Sequence, residues 1–102
     1  MNFGKMMKQV QQAQAKMAVV QEELKEERVE ASAGGGMVRV VMTGDLRIES
    51  VHINPEAVDP DDVELLQDMV AAAANEALRS AQELANTKMA AITGGMNVPG
   101  LM

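Results

Sequence analysis

The chain is poor in the residues that most often carry chemistry. It has no cysteine, no tryptophan and no tyrosine, and one phenylalanine and one histidine among 102 residues. Without cysteine there are no disulfides, no thiolate metal ligands and no thiol nucleophile. His52, alone in Ser-Val-His-Ile-Asn-Pro-Glu, cannot supply the three or four ligands that a zinc site needs. Asp59, Asp61, Asp62 and Glu64 lack the glycine and closing glutamate of a calcium loop. No paired catalytic acid and base can be argued, and no serine or threonine is read as having a histidine to activate it. The sequence therefore points away from an enzyme, and implies no cofactor, no metal and no small-molecule substrate. No apolar run approaches the ~20 residues that cross a bilayer. The start MNFGKMMKQV lacks the apolar stretch of a secretory signal. The reading is of a soluble, cytoplasmic protein without a membrane partner.

Apolar residues still make up 47% of the chain, so Ala, Val and ten methionines must build the interior. A domain of this size that buries only small side chains is marginal alone, which makes self-association the natural expectation. The methionines are read as filling the core or an interface.

The order of elements follows from periodicity. Met6, Val10, Ala13, Met17, Val20 and Leu24 alternate spacings of four and three, the narrow seam of a helix that pairs with another. A helix is expected over about 3–27. Alternation then gives strands at about 28–33, 37–43 and 46–53, the last with a bulge near Glu49–Ser50 where its two halves fall out of phase. Asp59-Pro60-Asp61-Asp62 opens a second helix, with Asp59 as the expected cap and Pro60 in the first position. That helix runs to about residue 92. The predicted architecture is α+β: α-β-β-β-α, a three-stranded antiparallel meander flanked by two long helices that project beyond the sheet. Residues 1–95 form one domain, and 96–102 are expected to be a flexible tail.

Three adjacent glycines, Gly34, Gly35 and Gly36, raise the question of a phosphate-binding loop. Such a loop joins a strand to a helix and carries a following Lys-Ser/Thr or a third spaced glycine. Here the strand Met37-Val38-Arg39-Val40 follows instead. The glycines turn a hairpin.

The net charge of −6 hides a segregation. Residues 1–21 carry Lys5, Lys8 and Lys16 and no acid, whereas 56–68 carry six acids and no base. If the helices pair antiparallel and outrun the sheet, Lys5, Lys8, Lys16, Arg79 and Lys88 gather towards one tip as a candidate surface for DNA phosphates. The sheet valines Val38, Val40 and Val41, with Val51 and Ile53, are the expected homodimer interface.

The segments NFGKMMKQVQQAQ, VEASAGGGMVRVVMTGD, LLQDMVAAAANEAL and KMAAITGGM together resemble the YbaB/EbfC family of bacterial nucleoid-associated proteins over nearly the whole chain. The resemblance implies a small cytosolic homodimer whose paired helices project like tweezers and engage DNA without enzymatic activity. It places Gly34, Gly35 and Gly36 in the hairpin and Lys5, Lys8 and Lys88 among the tip cations. With no base-reading helix in the sequence, little sequence preference is expected. The competing reading is a helical clamp, an adaptor or chaperone-like protein that binds other proteins.

Overall fold

Residues 2–94 are described in the computed structural model. They form α1 (Phe3–Glu26), β1 (Arg28–Ala33), β2 (Val38–Thr43), β3 (Ile48–Ile53), a 3-10 turn (Pro55–Ala57) and α2 (Val63–Gly94). The expected tail at 96–102 lies outside the described residues. Asn2 starts α1, its side-chain oxygen accepting from the Lys5 backbone N–H at 3.1 Å. The helix stops at Glu27, where the backbone turns extended and leads directly into β1.

All three hairpin glycines adopt positive φ, at 64°, 67° and 92°, a region that costs other residues strain. Gly34 is constrained twice, because a Cβ there would run into the Met69 thioether. Gly44 has a different role. A Cβ on it would lie 2.7 Å from the Leu24 carbonyl oxygen, so its smallness lets the last turn of α1 rest on the second hairpin. In that turn Leu46 takes a positive φ of 69°, and β3 starts at Ile48 rather than at Leu46.

The sheet is antiparallel in the order β1-β2-β3. Val41 faces Ser50 and Met42 faces Ile48, which leaves Glu49 as the extra residue of a bulge. Alternation then sorts the two faces. Ala31, Val38, Val40 and Met42 point at α2 and are buried against Ala73, Ala77 and Ala81. Those alanines recur every four residues, a stripe that lets the helix axis approach the sheet closely. The opposite face is polar, crossed by ion pairs between Arg28 and Glu49 at 2.5 Å and between Arg39 and Glu30 at 3.1 Å.

The start of α2 differs in detail from the expected one. Asp62, not Asp59, caps the helix, its carboxylate accepting from the Leu65 N–H at 3.3 Å. Asp59 closes a turn before the helix by accepting from the Asp61 N–H at 2.9 Å. The assembled chain is a rod of 70 × 26 × 16 Å, since α2 spans about 48 Å while six-residue strands span about 20 Å.

Candidate nucleic-acid interface

Where α1 meets α2 decides what the cations can do. The two helices run antiparallel, but they touch at the root of α1. Lys88 of α2 donates to Glu23 at 3.2 Å and pairs with Glu27 at 3.1 Å. Farther out, Val19 and Val20 face Ala91 and Ile92 across an open groove of about 550 Å³ that Lys16 also lines. Residues of α1 before Ala15 do not line that groove. Lys5 lies about 27 Å up the axis from Glu23 at the helical rise per residue.

The five expected cations therefore do not share one tip. Lys5, Lys8 and Lys16 are exposed along one face of α1, roughly 130° round the helix from the seam of Phe3, Met6, Val10, Ala13 and Met17. Among the described residues none of the three ammonium groups has an ion-pair partner. Lys88 sits at the root, its side chain 25% exposed between two carboxylates, and the hydrogen bonds it donates to Glu27 and then Glu23 hold its pKa above the ordinary lysine value. Arg79 lies still farther down α2. It is bound by Glu76 and by Glu83 at 2.6 Å, contacts that raise its pKa and, through the Arg79 hydrogen bond, lower that of Glu76. Both cations are already neutralised within the protomer. Spacing alone could have exposed the Arg79 cluster, because Glu76 and Glu83 stand three before and four after it. The partners of Lys88 are sixty-odd residues distant and carry no such signal.

The expected interface residues also separate. Val38 and Val40 are fully buried beneath α2, so neither is presented to a second copy. Val41 is half-buried on the opposite, polar face. Val51 and Ile53 remain, paired in register with Val40 and Val38 and thus on the face that α2 covers. They are nevertheless 44% and 40% exposed, as is Ile48 at 54%, because α2 lies over β1 and β2 and leaves β3 open.

One contact was missed in the sequence. Ser50 Oγ lies 3.3 Å from His52 Nε2, since residues two apart on a strand share a face. The pair stands exposed on the polar face of the sheet. Among the described residues no carboxylate is seen hydrogen-bonded to the imidazole, and a triad-like nucleophile needs that third group. Among the described residues no cluster of three or more histidines and carboxylates could hold a metal ion, and no helix is long and apolar enough to cross a membrane.

Comparison with known proteins identifies the family and the fold. The profile of the YbaB/EbfC DNA-binding family matches residues 1–96. Nucleoid-associated proteins of Thermoanaerobacter pseudethanolicus and Desulforamulus reducens are 53% and 56% identical over 100 residues. These alignments span 98% of this chain and 90% and 95% of theirs. Among solved structures, an uncharacterized protein of Helicobacter pylori shares the fold with a TM-score of 0.76 at 21% identity. That match covers 85% of this chain and 91% of the other.

Proposed function

The chain belongs to the YbaB/EbfC DNA-binding family, a family of DNA-binding proteins and not of enzymes, and from that premise we propose how it holds DNA. It acts in the nucleoid, as the names of its relatives suggest, and binds duplex DNA as a homodimer through the sugar-phosphate backbone, with little regard to sequence. The observation that carries this reading is the acid-free face of α1, where Lys5, Lys8 and Lys16 stand exposed and unpaired. Three lysines per copy give six in a dimer, enough for an affinity that falls about a thousandfold between 50 and 200 mM salt. No arginine lies on the helix to fork onto guanine; Gln9, Gln11 and Gln12, which could each reach an adenine edge, are the base readers that accompany the lysines.

The test is a mobility-shift comparison of unrelated random-sequence duplexes at two salt concentrations. Equal affinities that fall together with salt support the proposal. A strong preference for one duplex, or indifference to salt, contradicts it. The exposed seam of α1 is what favours the rival reading of a protein clamp.

A further inference from the structure

Among the described residues, the large apolar side chains left exposed include Leu46, Val58, Val63 and Leu65 and, besides these, two groups. One is the arm of α1, where Phe3 is 70% exposed and Met6, Val10 and Met17 remain uncovered. The other is the β3 ledge of Ile48, Val51 and Ile53. The ledge exists for a geometric reason. Three strands at about 4.8 Å spacing are wider than one helix of about 10 Å can cover. The first helix does not help, since α1 meets the hairpin where Leu24 packs over Gly44 and then leaves along the long axis.

The two surfaces match each other in length and charge. The arm seam from Phe3 to Met17 is about 21 Å long and a six-residue strand about 20 Å. The arm is purely basic up to residue 21. From Ile48 to Leu78 there is no lysine or arginine, and Glu56, Asp59 and Asp61 are among the acids of that stretch, whereas Glu49 is already paired with Arg28.

We propose that the α1 arm of one copy docks on the β3 ledge of a second copy, and the reverse, so that the two exchange arms. The contact is isologous and closes on itself, as a two-fold dimer requires. Opposite charges steer the encounter, while Lys5 and Lys8 stay outward for DNA. This inference rests on the homodimer proposed above and specifies how that dimer is built.

The absence of cysteine makes the test direct. Val10→Cys is mixed with Ile48→Cys, Val51→Cys or Ile53→Cys, each as a single variant, and treated with a short thiol–thiol cross-linker. Gln12→Cys, on the opposite face of the arm, serves as control. Sedimentation of the same samples reports the mass. The expected result is a dimer by mass in which Val10→Cys joins at least one ledge variant between chains, whereas Gln12→Cys joins none. A dimer in which Val10→Cys links only to itself, or to nothing, overturns the arm exchange and leaves the homodimer standing. A monomer by mass overturns both.

Discussion

Lys88 Nζ lies within 3.2 Å of carboxylate oxygens on both Glu23 and Glu27, so a cation of the second helix locks the root of the first. That contact removes Lys88 from the surface available to phosphates and fixes the direction in which the α1 arm leaves the sheet. The pKa of Lys88 is raised in the folded chain by these partners. A raised pKa contributes stability that is complete below the ordinary lysine value of 10.5 and is lost as pH climbs through the higher folded value. Thermal melts across alkaline pH should therefore show a loss of stability in the native chain that Lys88→Met does not share.

Neutralised cations should be silent in DNA binding. Arg79→Gln and Lys88→Gln are expected to leave the salt dependence of affinity within about half a contact per copy of the native value. A drop of a full contact per copy for either variant, read from the slope of log affinity against log salt, would return that residue to the interface.

The glycine hairpin makes a ranked prediction. Gly35→Ala meets open space and suffers only its positive φ, a cost of about 1–2 kcal/mol. Gly34→Ala carries the same strain and also collides with the Met69 thioether, which must swing aside, adding up to about 1 kcal/mol of overpacking. Denaturant melts should rank Gly34→Ala as the more damaging, and Met69→Ala in the same chain should recover part of the difference.

The cap of α2 gives another ranking. Asp62→Ala removes the acceptor for the Leu65 N–H and should cost about 1 kcal/mol. Asp59→Ala, which disturbs only the preceding turn, should cost less in the same melts.

These cases also mark what could be read before the fold was seen. The alternation of β2 made the strand legible because burial imposes its period, and the four-and-three seam from Met6 to Leu24 made the helix legible although of that seam Leu24 alone is buried. The bulge at Glu49 was legible because β3 changes phase there. The identity of the cap was not, since Asp59, Asp61 and Asp62 can each accept from a helical N–H and only the exact path of the chain selects one. Alternation also put Val40 and Val51 on inward faces without saying that α2 would cover one strand and leave the other bare. The charge pattern marked Lys5, Lys8 and Lys16 as an acid-free run on the first helix, but the pairing of Lys88 depends on a contact between distant segments that no local pattern encodes.

The salt dependence of DNA binding with and without the arm lysines tests the central claim most directly. For a dimer using all six, the slope of log affinity against log salt should be about −5, and Lys5→Gln with Lys8→Gln should reduce it to about −2. An unchanged slope in the double variant would contradict the account, because the phosphates would then be held somewhere other than the exposed face of α1.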